Sequence, residues 1–515
     1  MKTIFRLSVL GFFSLFTTVN AAVPLPVFPN TTFKITNYGA STSASDNSTA
    51  IQNAINACNA AGGGTVIIPS GTFLSAPLTM ESNVNLQLNA GAVLTALPYG
   101  NGNGSPTGSY PNNGTANTYS NFIYGKNVTN IAVTGTGTIE GQGSAWWAAF
   151  KASPTVLTKR PCLIRFDACS TVAVTGISLQ NSPGVHLTFG QRSINSTAAN
   201  LTINAPSTSP NTDGIDTWSP NINIFHCTIA CGDDNIAMDS ESQNVTIKHC
   251  TFGTGHGCSV GSFTTNVTNI LVDSCTFNGT TSGMRLKTER GRGGNENHIT
   301  YSNITMTGVT NPIFISSYYP SFPATPTADT AQAIISTTPA WQNIILKNAV
   351  ITGSPNAGTI WGLPEQSIVN VTFDNVQISA TKGMKVNNAS GVKFNCSSIS
   401  VTSGNAITST YNAGISGIDF TTGKSTSCIP IIITGLGPDN LSNGLLVYPN
   451  PFRESVRISS IGDFRYIIYG LDGRELESGQ GSDQALVGSF LRPGIYVVKI
   501  QGTSGSSTSK ICKSE

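Results

Sequence analysis

The chain has 515 residues, a formal net charge of +2 and only 10% charged residues. So even a balance excludes a long basic surface for nucleic acid and an acidic solvating tail, so an electrostatic partner has to be recognised locally. Gly is abundant, at 53 residues, and Asn, Ser and Thr crowd the turns, a composition for short strands and frequent turns rather than helices.

In chain order, the opening MKTIFRLSVLGFFSLFTTVNAA carries Lys2 and Arg6, an apolar stretch from Leu7 to Phe16, and small residues at Ala21 and Ala22. This is a secretory signal over residues 1–22. No later run approaches the ~20 apolar residues needed to cross a bilayer, so an exported, soluble product is expected. The 11 cysteines could form disulfides in that setting, the odd count leaves at least one free, and sequence alone does not pair them. Next, DNSTAIQNAINACNAAGGG spaces Ala50, Ile51, Ala54, Ile55 and Cys58 as a helix, placed to seal the first coil of a stacked fold. The segment 99–120 reads as a loop. Trp146 and Trp147 suit either sugar stacking or packing.

A nine-residue pattern then recurs: NINIFHCTI at 221, NVTIKHCTF at 244, NILVDSCTF at 269, HITYSNITM at 298, NIILKNAVI at 343 and NVTFDNVQI at 370. Apolar residues alternate, break at a kink and resume, so each copy reads as two short strands with one buried face. Starts at 221, 244 and 269 are 23 and 25 residues apart, too close for a propeller blade of roughly 40 residues and suited to one coil of a parallel β-helix. The fold class is therefore all-β, with the β-helix over 23–430. Cys227, Cys250 and Cys275 share one phase and read as a stack of small buried hydrophobes. A zinc site is the alternative, against which one Cys per coil lacks the short C-x₂-C spacing.

Beyond a linker at 431–443, the segment 444–515 alternates strands with DG and PG turns, as in a small β-sandwich. Its phrases VYPNPF and GIYVVKI resemble the C-terminal sorting domain of the type IX secretion system. That resemblance implies outer-membrane secretion machinery as a partner and an extracellular or cell-surface location. An accessory carbohydrate-binding module is the alternative for this region.

The stretch CGDDNIAMD sets Asp233 beside Asp234 in a chain poor in charge. Counted back from the repeat starts, Asp213 lies 8 residues before 221, Asp233 and Asp234 lie 11 and 10 before 244, and His256 lies 13 before 269. Arg285 and Lys287 lie 13 and 11 before 298. Similar phase places all six on one side of the coil, and coils stacked about 4.7–4.9 Å apart would turn them into a ladder. Carboxylates gathered in one cleft suit glycoside hydrolysis, because mutual repulsion keeps one protonated as the acid while another activates water. Arg285 and Lys287 alternate along one strand and so point the same way, able to hold an anionic sugar's carboxylate. Asp216 and Asp239 lie outside the clustered blocks and read as structural.

The blocks NTD, GDD, GHG and RLK, in this order and at these intervals, resemble the signatures of the family 28 glycoside hydrolases, the polygalacturonases. The similarity runs from FKITNYGA at 33 through RPCLIRF at 160 and NPIFISSYY at 311 to about residue 400. It implies a right-handed parallel β-helix of the pectin-lyase type and inverting, metal-free hydrolysis of α-1,4-galacturonan, with a polysaccharide as partner, no cofactor and a monomeric chain. By the same resemblance Asp233 is the general acid, Asp213 and Asp234 activate water, and His256, Arg285, Lys287 and Tyr319 complete the subsite. Leu286 stands where the family more often has Ile, and Tyr318 precedes Tyr319, so the tyrosine is assigned to within one position. Endo action follows from the likeness of SPNTDGID, GDDNIA and NGTTSGMRLK to bacterial endo-acting members. Exo-polygalacturonase and rhamnogalacturonan hydrolase are the near rivals. A calcium-dependent pectate lyase and a non-catalytic pectin-binding β-helix are the distant ones.

Overall fold

The computed structural model describes residues 23–100, 108–155, 159–411, 414–428, 446–448, 452–470, 473–502 and 505–514. The expected signal at 1–22 and linker at 431–443 lie outside the described residues. The chain divides into two compact units between Ile429 and Pro430.

The first unit is a parallel β-helix, and the repeat explains its geometry. Each central coil supplies three strands, as in Ile215–Thr217, Ile222–Phe225 and Thr228–Ala230. Each pairs in parallel with its counterpart one coil on, Ile236–Met238, Gln243–Lys248 and Thr251–Phe252. The kink inside each copy is a residue held at positive φ: His226, His249, Ser274, Asn303, Asn348 and Asn375. Repeat starts carry the second such corner, at Asn221, Asn244, Asn269, His298, Asn343 and Asn370. Asparagine tolerates this region better than most residues, which is why it dominates these positions. Its amide also links the coils: Asn244 Nδ2 donates to Asn221 Oδ1 at 3.0 Å, and Asn269 Nδ2 to Asn244 Oδ1 at 2.6 Å. From residue 295 the strands run longer, as Asn295–Thr307, Ala340–Trp361 and Ile368–Asn387.

Apolar columns fill the interior. Ile215, Ile236, Cys258, Met284 and Ile313 stand in one register, each fully buried. The thiols of Cys227, Cys250 and Cys275 are buried, and each S–H donates to the carbonyl two residues earlier, at 3.3–3.4 Å. Helix Ser48–Ala60 turns Ile51, Ala54, Ile55 and Cys58 inward against the first strands. Trp146 is buried among Tyr99, Tyr110 and Tyr119, and Trp147 Nε1 donates to Ser182 O, so both tryptophans pack rather than face a sugar. A disulfide joins Cys396 to Cys428.

The second unit is antiparallel. Leu446–Tyr448, Val456–Tyr469, Glu475–Val487, Gly494–Gly502 and Gly505–Lys513 are hydrogen-bonded into a five-stranded sheet. A register shift between Ser459 and Asp463 lets the long second strand serve three partners. Its core is Phe452, Val456, Ile458, Phe464, Ile468, Val487, Val498, Ile500 and Ile511.

Candidate active site

The candidate site residues gather on the sheet built from the first strand of each coil. Outward-pointing side chains of stacked strands form rows. One row reads Arg165, Thr188, Asp216, Ala237, Ser259, Arg285, Phe314. Three residues earlier in each coil stands a second row: Cys162, Val185, Asp213, Asp234 and His256. Backbone bonds such as His186 N–H to Asp213 O and Gly214 N–H to Asp234 O keep these coils in step. Lys287 lies two residues beyond Arg285 on the same strand, Ser282–Lys287. The equal phase expected for all six groups thus resolves into adjacent rows, because the intervals to the next repeat start vary with loop length.

Asp234 is the hub. Arg285 Nη1 donates to its Oδ1 at 2.5 Å, Lys287 Nζ to its Oδ2 at 2.7 Å, and Ser259 Oγ to Oδ1 at 2.6 Å. Asp234 and Lys287 are buried, so these are desolvated ion pairs rather than surface ones. Burial alone would depress the pKa of both cations, but the Asp234 carboxylate raises them above their ordinary values. Tyr319 lies under the same cations, its ring centroid 4.9 Å from Lys287 Nζ and 5.5 Å from the Arg285 guanidinium. Tyr318 faces away, with its hydroxyl donating to Asp329 at 2.6 Å, so Tyr319 is the tyrosine at the site.

Asp233 turns to the open side. His256 Nδ1 lies 3.0 Å from Asp233 Oδ1 and 3.7 Å from Asp234 Oδ1. Arg285 Nη1 also approaches Nδ1, at 3.2 Å. One ring nitrogen cannot donate to Asp233 and accept from Arg285 together, and the shorter contact takes the proton. Asn211 Nδ2 donates to Asp233 Oδ2 at 3.3 Å. Burial pushes the Asp233 pKa up, but His256, Lys287 and Arg285 outweigh it and hold the group below its usual range. Asp213 behaves oppositely. Burial, followed by repulsion from Asp233 and Asp234, pushes it well above an ordinary carboxylate. The two carboxyls are thus driven apart, with the proton favoured on Asp213 rather than on Asp233 while the site holds no substrate.

Glycines shape the turn that carries His256. A Cβ on Gly257, at φ +79°, would meet Ser282 O at 2.1 Å, and one on Gly255, at φ +131°, would meet Asp233 O at 2.7 Å. Oxygens of Asp233 and Asp234 and Nδ1 of His256 lie within 4.8 Å of one another and could in principle bind a cation. Arg285 and Lys287 already take both Asp234 oxygens, so an added cation would meet like charge. A groove of about 800 Å³ beside Asn223, Lys248 and His249 lies on a different sheet and has no carboxylate in its lining.

A family profile described as "Glycosyl hydrolases family 28" matches residues 58–417. The chain is a family 28 glycoside hydrolase. It is similar to an endo-polygalacturonase of Pectobacterium carotovorum subsp. carotovorum, 32% identical over 370 residues that cover 67% of this chain and 87% of that protein. The solved polygalacturonase from Erwinia carotovora ssp. carotovora aligns at 30% identity and a TM-score of 0.55, covering 78% of this chain and 99% of that one. A family 28 exopolygalacturonase from Yersinia enterocolitica shares the fold, with a TM-score of 0.63 at 19% identity over 77% of this chain and 79% of that one. Residues 446–514 match a "Secretion system C-terminal sorting domain", which marks this family 28 enzyme for secretion or cell-surface display.

Sequence reading missed several supports of this family 28 site. Ser259 lies two residues after Gly257, the last residue of the GHG block, and holds the hub through Asp234. His186, buried and lowered to a pKa of about 4 by that burial, directs Nδ1 to Asp213 O at 2.9 Å. Arg160 donates to Pro210 O and to Asn211 Oδ1, both at 2.8 Å, steadying the amide that reaches Asp233. Asp239, read as structural, accepts the Phe263 N–H at 3.1 Å, and burial lifts its pKa to about 7. Asp216, also read as structural, stands on the floor row between Thr188 and Ala237.

Proposed function

We propose that the enzyme is a secreted polygalacturonase that hydrolyses α-1,4-galacturonosyl bonds with inversion, in the endo mode. The observation that carries this reading is the Arg285–Lys287 pair set against three carboxylates of contrasting electrostatics. The two cations suit a uronate carboxylate, since one is a planar fork and the other a mobile point charge. Asp233 protonates the glycosidic oxygen. Asp213 and Asp234 together position the attacking water on the opposite face of the sugar, and Asp234, ion-paired to Arg285 and Lys287, accepts its proton.

Substrate binding itself prepares the acid. After His256, Lys287 and Arg285 contribute to holding Asp233 below its usual range, so a uronate that neutralises them weakens that hold and shifts Asp233 toward its protonated form. Endo action is supported by the endo-polygalacturonase relative and by the floor row, which continues past Asp216 to Thr188, Arg165 and Tyr124. The test is to incubate the purified protein with polygalacturonate, with and without chelator, and resolve product lengths over time. Reducing ends released early as long fragments, at a rate insensitive to chelator, support the reading. An unsaturated, ultraviolet-absorbing product whose formation stops with chelator would overturn it in favour of elimination.

A further inference from the structure

We propose that Arg165 forms an outlying subsite for a second carboxylate of the substrate chain, five rungs from Arg285 along one outward row of the catalytic sheet. The proposal rests on the polygalacturonase reading and adds the group that grips the polymer far from the bond cleaved. At about 4.8 Å per rung the two guanidinium groups are rooted roughly 24 Å apart, with Asp213, Asp233 and Asp234 between them.

Arg165 is built for grip rather than loose solvation. Its Nε donates to Asp167 Oδ2 at 2.8 Å, and the same oxygen accepts the Tyr124 hydroxyl at 3.1 Å. One edge of the guanidinium is thereby clamped, which leaves the terminal nitrogens in a fixed plane suited to a carboxylate. Its side chain is 31% exposed, enough to reach a ligand, while Thr188 beside it on the row is buried. Half-buried Cys162 and Val185 line the adjacent row toward Asp213, so no acidic side chain stands on that row between Cys162 and Asp213. The groups facing Arg165 are Asp167, Cys162 and, two rungs on, Asp216. Burial, followed by neighbouring Asp213 and Asp239, raises the Asp216 pKa well above the ordinary value, which weakens its repulsion of a passing uronate.

The test compares wild-type full-length protein with R165Q on galacturonate oligomers of increasing length and on polygalacturonate. Gln keeps a donor for Asp167, and a melting curve checks that the variant folds. The expected result is a loss of roughly ten- to hundredfold in kcat/KM on the polymer, through KM, with little change on oligomers too short to reach past Asp213. On methyl-esterified polymer the two proteins should differ little. Half-buried Cys162 supplies a second readout: long oligomers should slow its alkylation in wild type more than in R165Q. Equal loss at every length, or no loss on the polymer, overturns the subsite. A wild type that releases no reducing ends from polygalacturonate would instead sink the activity assignment, and this subsite with it.

Discussion

Replacing each of the adjacent carboxylates by its amide should separate catalysis from stability. In D233N, Oδ1 still accepts the Asp234 N–H at 2.9 Å and faces His256 Nδ1 at 3.0 Å. Only the 3.3 Å bond from exposed Asn211 is disturbed, and solvent can replace it there, so the stability cost stays within about 1 kcal/mol. The lost proton donor should lower kcat by about 10²–10⁴, or roughly 3–5 kcal/mol on the barrier. In D234N the new amide N–H₂ can face the Lys287 ammonium, 2.7 Å from Oδ2, leaving donors opposed, and Arg285 loses its counter-charge as well. With side-chain exposures of 6% for Lys287 and 13% for Arg285, breaking these pairs should destabilise by about 3–5 kcal/mol. The assays are reducing-end release from polygalacturonate and thermal melting of both variants beside wild type. Wild-type turnover in D233N would remove Asp233 as the acid. A D234N midpoint equal to wild type would show that Asp234 does not hold the two cations.

Asp213 has a raised folded pKa, so wild-type stability falls as pH climbs from the unfolded Asp value near 3.8 toward it. D213N, inactive but uncharged, should therefore melt with wild type near pH 3.5 and progressively above it toward neutral pH, as followed by melting curves across that window. Alanine at Gly257 forces a left-handed backbone and a Cβ onto Ser282 O; it should destabilise by about 1–3 kcal/mol and lower kcat by displacing His256, checked by melting and initial rates. Removing the Cys396–Cys428 bridge, which links positions 32 apart, should cost about 3–4 kcal/mol in the final coil without changing turnover per folded molecule. Denaturant unfolding of C396S with and without reductant measures it.

Coil geometry was legible because the apolar rhythm repeats with little change from Asn221 to Ile378 and the corners select asparagine. The catalytic side was legible for the same reason: loops between Asp213, Asp234 and His256 are short enough for residue counting to survive. The counting blurred at Arg285 and Lys287, where a longer excursion to the next repeat shifts the apparent phase by a row. Supports such as Arg160 and His186 were hidden. Arg160 reaches Asn211 across 51 positions, and a buried histidine just ahead of a strand looks like any other polar residue at a coil corner. Disulfide partners were equally hidden, since eleven cysteines share a composition but only Cys396 and Cys428 share a corner of the last coil.

The asparagine corners also bear on how such a barrel could change size. Each amide hands its N–H to the preceding turn and offers its oxygen to the following one, so the connectors are interchangeable couplings. A whole turn beyond Trp361 could be spliced out and the flanking turns rejoined with matching couplings. Between Asn211 and Lys287 no such excision is tolerable, because every turn there contributes a different working part.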